Sequence, residues 1–313
     1  MKKLLVFLLV AMLAITGCSQ DSSTGSDDGE ITIGYAINNM NDTFQTYIFD
    51  AAKAKAEEYG YKIEIQDSQE DVVRQQDQVK AMIEQGVDAL IVVPVDTSAM
   101  EPITNAAVEA GIPLVYVNRN PFGEGEVPDG VYYVGSQEII AGELQAEYLV
   151  EIMGEEGGVA ILMGILSNEG AVKRTEGNEN ILSKYPGIEI LAKESGNWQK
   201  DQGMDITENW ITAYGDKLKA ILSNNDEMAI GAINALEAAG RDDVIVMGVD
   251  AIPDAVQLVS EGKLAATVLQ DANGQGEGAV NVVHKVLQGE TPEKVTWIEF
   301  KLVTKDNVEE YMK

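Results

Sequence analysis

One cysteine, one histidine and only 22 lysines and arginines occur among 313 residues, and each scarcity excludes something. A single cysteine, Cys18, forbids an intrachain disulfide. The lone histidine, His284, falls within 280–287, a stretch that reads as helix, so neither a Ser-His-Asp set nor a histidine-rich metal site can be assembled. Set against 52 aspartates and glutamates, the basic residues leave a net charge of −30. That balance excludes nucleic acid as a partner, because phosphate contacts need clustered Lys and Arg. No G-x-x-x-x-G-K-[ST] loop occurs, and Gly274-Gln275-Gly276-Glu277-Gly278 only grazes a nucleotide-loop pattern. Asp271 to Gly276 opens like a calcium loop, but Val282 stands where the bidentate carboxylate belongs. No enzyme, no metal and no cofactor is therefore expected.

What is present starts with Lys2 and Lys3, followed by a twelve-residue apolar run from Leu4 to Ile15. The run is too short to span a bilayer and suits the hydrophobic region of a signal peptide. It ends in Ile15-Thr16-Gly17-Cys18, which resembles the bacterial lipobox. The resemblance implies removal of residues 1–17 and diacylation of Cys18. The protein would then be exported and lipid-anchored to the outer face of the cell membrane, or periplasmic in a Gram-negative host. An ordinary secretory signal with an incidental cysteine is the alternative. Residues 19–30, SQDSSTGSDDGE, contain no apolar side chain and cannot offset their ordering entropy by burial. Residues 18–30 thus read as a lipidated cysteine and a disordered tether.

From Ile31 the pattern changes. Near-continuous β-branched runs at 31–37, 61–66, 89–93, 113–117 and 131–134 alternate with helical stretches at 44–59, 71–85 and 99–110. Such strands belong to a parallel sheet covered on both faces. Gly60, Gly86 and Gly111 follow the helices where a left-handed C′ residue is wanted. A second series repeats the alternation, with strands at 158–163, 188–192, 218–222, 244–248 and 265–269. Its helices fall near 139–153, 172–182, 202–213, 229–239 and 253–260. One more helix, 275–288, and one extended piece, 295–303, are too little for a third domain. The expected fold is α/β, two doubly wound parallel-sheet lobes joined by a three-crossover hinge. The lobes comprise 31–135 plus 272–299 and 136–271 plus 300–313.

Polar and aromatic residues collect at the carboxyl ends of the strands, the edge where open α/β sheets hold ligands. They include Asn38, Asp42, Phe44, Asn118 and Arg119 in the first half. The second half supplies Asn168, Arg174, Trp198, Asn225, Asp250 and Gln270. Carboxylates and amides accept and donate to hydroxyls, Arg donates, and flat aromatics cover C–H faces, so the set suits a polyhydroxylated ring. Each residue also has a bland alternative. Asp250 and Asn225 are possible helix caps, Trp198 and Phe44 possible core aromatics like Trp210, and Arg174 a possible solvated face.

Three stretches are more specific: Asn224 to Ala232 (NNDEMAIGA), Met247 to Ala255 (MGVDAIPDA) and Gly262 to Asn273 (GKLAATVLQDAN). Through them the chain from Ile31 to about Val303 resembles the periplasmic monosaccharide-binding family that includes ribose-binding and galactose/glucose-binding proteins. The resemblance implies a type I periplasmic-binding-protein fold and a non-catalytic receptor. It places sugar contacts on Asp42, Phe44, Asn118, Arg174, Trp198, Asn225, Asp250 and Gln270, with Asn38, Arg119 and Asn168 at positions that vary. The chain departs from the galactose/glucose branch at Asn168 and Gly170 and lacks that branch's calcium loop. It departs from the ribose branch at Gln45, where a second aromatic would stand.

The expected function is an extracytoplasmic substrate-binding lipoprotein of a carbohydrate ABC importer, monomeric, with a hexose or pentose in the cleft. Inositol or a furanose signal is a further possibility for the ligand. Partners implied are the permease and ATPase complex and, through Cys18, the membrane. The alternative is a sugar or signal co-receptor for a membrane kinase or chemoreceptor. LacI-type repressors share the lobes but carry an N-terminal helix-turn-helix and no export signal.

Overall fold

A computed structural model describes residues 30–123 and 125–312; the expected leader, Cys18 and nearly all of the tether lie outside them. The first series runs β1 (Thr32–Ile37), α1 (Thr43–Glu58), β2 (Lys62–Asp67), α2 (Val72–Gln85) and β3 (Ala89–Val92). It continues through α3 (Glu101–Ala110), β4 (Leu114–Val117) and β5 (Val131–Gly135). The second series begins α4 (Glu138–Met153), β6 (Glu156–Met163), α5 (Glu169–Leu182), β7 (Gly187–Ser195) and α6 (Lys200–Tyr214). It goes on with β8 (Leu218–Ser223), α7 (Asp226–Ala239), β9 (Ile245–Asp250), α8 (Pro253–Glu261) and β10 (Ala266–Leu269). Then come α9 (Ala272–Leu287), β11 (Val295–Trp297) and β12 (Lys301–Thr304).

The strands form two six-stranded sheets, ordered β11-β5-β4-β3-β1-β2 and β12-β10-β9-β8-β6-β7. Every strand pair is parallel except β10 with β12. In each sheet the chain reverses its direction of growth at the first strand, so the topological switch points fall between β1 and β3 and between β6 and β8. The apolar runs pack on both faces. On the first sheet Ile33, Ile37, Val115 and Val117 meet Ile48 of α1 and Val280 of α9 on one side. Leu90, Val92 and Leu114 meet Val79, Met82 and Ile103 of α2 and α3 on the other.

The chain passes between the sheets three times, at Ser136–Gln137, Gln270–Asp271 and Ile298–Phe300. At the last passage the extended piece 295–303 breaks into two short strands. Its first three residues add to β5 and its end pairs with β10. Several helices also begin earlier than their apolar periodicity suggests: α5 at Glu169, α7 at Asp226 and α9 at Ala272. Their first turns are polar because they sit at the strand ends, facing the space between the sheets.

Close helix packing fixes one part of that space. A Cβ on Gly142 of α4 would stand 1.9 Å from the Arg174 carbonyl oxygen, and one on Gly177 of α5 would stand 2.2 Å from that of Ile139. Glycine at both positions lets the two helices touch backbone to backbone, which brings the start of α4 beside Arg174.

Candidate functional site

Asp42 ends the β1–α1 loop and caps α1, its Oδ1 accepting from the Phe44 and Gln45 amides at 3.1 and 3.3 Å. Its other oxygen lies 3.9 Å from Arg119 Nη2. Burial raises the Asp42 pKa although Arg119 opposes the shift. Arg119, just past β4, donates from Nη1 to the Pro94 and Val95 carbonyls and approaches Glu70 at 3.8 Å. Neighbouring Asn118 is held at φ +69°, its carbonyl accepting from Tyr133 Oη and its Oδ1 from Gln45 Nε2.

Across the gap, Arg174 organises the second sheet's contribution. Its Nε donates to Glu138 Oε2 at 2.6 Å, Nη1 to the Asn224 carbonyl at 2.6 Å and Nη2 to Gln270 Oε1 at 3.0 Å. Gln270 Nε2 closes the loop onto Glu138 Oε1, and Asp250 Oδ1 stands 3.6 Å from Arg174 Nη1. The guanidinium lies between the rings of Trp198 and Phe300, 5.7 and 5.8 Å from their centroids. Arg174 is therefore buried and not on a solvated face. Asp250 does not cap the following helix, because α8 begins after Ile252 without a side-chain cap. Its carboxyl is held well above the ordinary range by burial, which outweighs the lowering effect of Arg174.

Trp198 Nε1 donates to Asn168 Oδ1 at 2.9 Å, and Asn168 Nδ2 donates to the Val95 carbonyl at 2.9 Å. A residue of the second half thus bonds directly to the first. Asn225 does cap α7, accepting from the Met228 amide, and also donates to the Trp198 carbonyl. Asn118, Trp198 and Asp250 all have positive φ, a strained choice for non-glycine residues that concentrates where a fold positions function.

Together these residues line one small cavity between the two sheets. Its walls are Asp42, Phe44, Asn118, Arg119, Asn168, Arg174, Trp198, Asn225, Asp250 and Gln270 with Gln45, Glu138 and Gly170. Asn38 is not brought there: it is fully buried behind the wall and donates to Glu70 Oε1 at 2.7 Å. Trp210, read from sequence as a core aromatic, is buried in the second core. Glu138 was missed because it sits in the first turn of a helix, where a polar side chain ordinarily faces water, whereas Gln45, noted in the sequence only as a departure from the ribose branch, lines the wall as well. The walls hold carboxylates, amides, guanidiniums and two aromatic rings, a set that can grip hydroxyls. Among the described residues no group of His, Cys, Asp and Glu is placed to hold a metal, and no helix is long and apolar enough to cross a membrane.

The family described as periplasmic binding protein domain matches residues 33–291. A putative rhizopine-binding protein of Rhizobium meliloti is 39% identical over 99% of each chain. A ribose import binding protein of Escherichia coli is 30% identical, covering 97% of this chain and 99% of its own length. Among solved structures, an ABC transporter solute binding protein of Bacillus halodurans with bound myo-inositol superposes with a TM-score of 0.86 at 41% identity. That match covers 92% of this chain and 99% of the other.

Proposed function

Since the chain belongs to the periplasmic binding protein domain family, a family of solute-binding receptors and not of enzymes, we propose that it is the extracytoplasmic receptor of an ABC importer for a polyhydroxylated ring. The ligand class is a monosaccharide in ring form or a cyclitol. Myo-inositol is the first compound to test, since it is the ligand in the relative with 41% identity, whereas ribose is named for one with 30%.

The observation that carries the reading is the convergence of Asp42, Arg119, Asn168, Arg174, Asp250 and Gln270 on one small cavity closed by Phe44 and Trp198. Hydroxyls both donate and accept, so each can pair with a carboxylate or amide oxygen and with an N–H at once. A charge-assisted bond contributes about 1.5–3 kcal/mol net, so a few of them reach micromolar affinity, about −8 kcal/mol, after the losses of association. The two sheets and their helices act as lobes, 31–135 plus 272–299 and 136–271 plus 300–313, that close on the ligand about the three passages. Cys18 anchors the protein by a diacylglycerol thioether; two acyl chains are needed for a stable hold, and Cys18→Ser is expected to release it from the membrane fraction.

Calorimetric titration of the purified protein with myo-inositol, D-ribose and D-glucose tests the ligand class. Micromolar binding of at least one is expected, and no heat from any of the three would overturn it.

A further inference from the structure

Six buried side-chain atoms among the described residues lack a hydrogen-bond partner: Tyr35 Oη, Asn38 Oδ1, Gln45 Oε1, Glu169 Oε2, Asn178 Oδ1 and Asn224 Nδ2. Only Gln45 belongs to the cavity wall, and it is 4% exposed. An unpaired buried carbonyl is costly, and folds rarely keep one that nothing ever satisfies.

The other pole of the Gln45 amide is committed. Nε2 donates to Asn118 Oδ1 at 2.7 Å, Asn118 Nδ2 donates to Gln275 Oε1 at 3.1 Å, and Gln275 Nε2 donates to Ser136 Oγ at 3.3 Å. This relay runs in one direction from the cavity through α9 to the Ser136–Gln137 passage, and it leaves Oε1 as the free acceptor. The rest of the wall is also rich in acceptors. Asp42, Glu138 and Asp250 are carboxylates, and three nitrogens of Arg174 are already engaged by protein oxygens.

We propose that Gln45 is a specificity-determining residue, its Oε1 accepting a hydrogen bond from one ligand hydroxyl. The inference rests on the reading of the cavity as a site for a polyhydroxylated ring, and it narrows that class. A pyranose ring oxygen accepts but does not donate, so turned toward Gln45 it would set two acceptors against each other. A cyclitol carries a hydroxyl on every ring carbon and offers a donor whichever way it lies. A pyranose is thus limited to orientations that turn its ring oxygen away from Gln45, a limit a cyclitol does not meet, and to that extent the site favours a cyclitol.

The test compares wild type with Gln45→Met, which keeps the length of the side chain and removes the acceptor. Both are titrated with myo-inositol and its single-deoxy analogues. Gln45→Met is expected to bind myo-inositol about tenfold more weakly, the effect of one net hydrogen bond at the upper end of its range. One deoxy analogue should be about tenfold weaker than myo-inositol on wild type and no weaker than it on the variant. Equal weakening of myo-inositol and every analogue would assign Gln45 to holding Asn118 alone and overturn the proposal, as would unchanged binding. Wild type that takes D-ribose or D-glucose but not myo-inositol overturns this inference and leaves the receptor reading intact. Wild type that binds none of them overturns both. A thermal melt checks each variant, and Gln45→Leu, read in the same way, replaces Gln45→Met if the latter does not fold.

Discussion

Glu138 and Arg174, the first from the start of α4 and the second from the middle of α5, form an ion pair 2.6 Å long with both side chains almost wholly shielded from water. Neither charge is tolerable there alone. The pair holds the guanidinium in the position from which it faces Asp250 and Gln270. Breaking such a pair from one side costs about 3–5 kcal/mol, because the remaining charge is buried without compensation. Glu138→Ala is expected near the lower end of that range, since Asp250 remains beside Arg174. Urea unfolding of the ligand-free protein measures the loss, and a change under 1 kcal/mol would show that the pair holds little.

Asp250→Ala addresses the opposite end of the network. The carboxyl, 3.6 Å from Arg174 and with no closer partner among the described residues, is placed to pair with two ring hydroxyls. Leaving those unpaired in a closed site costs about 2–4 kcal/mol, roughly 30- to 1000-fold in affinity. As the side chain caps no helix, the free protein should melt no lower than wild type. Affinity kept within about threefold, together with a depressed melt, would make Asp250 a structural residue instead.

The pH dependence of stability has a definite sign. Burial, helped by the negative charge of Glu138, pushes the Glu169 carboxyl from 4.5 to about 8, against the pull of Arg174 and Lys173. A carboxyl whose folded value is raised binds its proton more tightly when folded, so its stabilising effect is whole below about pH 4.5 and gone above about pH 8. Ligand-free protein should therefore lose melting temperature as pH rises across that window. Asp226, raised by burial to about 7, contributes in the same direction. Glu169→Gln removes one of these contributions and should raise the melting temperature at pH 8 by roughly 2–4 °C, the shift from about 1 kcal/mol in a domain of this size. Parallel pH profiles for variant and wild type would refute the assignment.

Among the described residues and away from the three passages, hydrogen bonds cross between the halves from Asn168 to Val95, from Thr97 to the Ser167 carbonyl at 3.2 Å and from Thr43 to Glu227 at 3.0 Å. Their lengths describe lobes drawn together, and hinge closure about the three passages predicts a smaller radius of gyration in solution when ligand is saturating. Small-angle scattering with and without myo-inositol reads this directly. A radius that stays the same despite calorimetric binding would rule the hinge out.

Much of this was legible along the chain because its causes are local. Near-continuous apolar runs bounded by turn residues fit strands buried on both faces, as β1, β3, β4 and β5 are, while the edge strands β2 and β7 stay half-exposed. Glycine one residue past a helix marks its left-handed end. The alternation of the two therefore determined two mostly parallel sheets, and the polar residues after each strand marked the edge where the cavity lies. What tertiary structure alone decided is where non-local segments meet. Glu138 lies in the first turn of its helix, a place where acidic residues are ordinarily solvated, and it becomes buried only because Gly142 and Gly177 let α4 and α5 touch and Gln270 arrives from β10. Asn38 shows the converse. It follows a strand as Asp42 does, yet Glu70 claims its amide and it stands behind the wall. The piece 295–303 reads as extended from end to end because extended backbone looks the same in either sheet, and the partners β5 and β10, fixed by the rest of the fold, set which residues pair with which sheet.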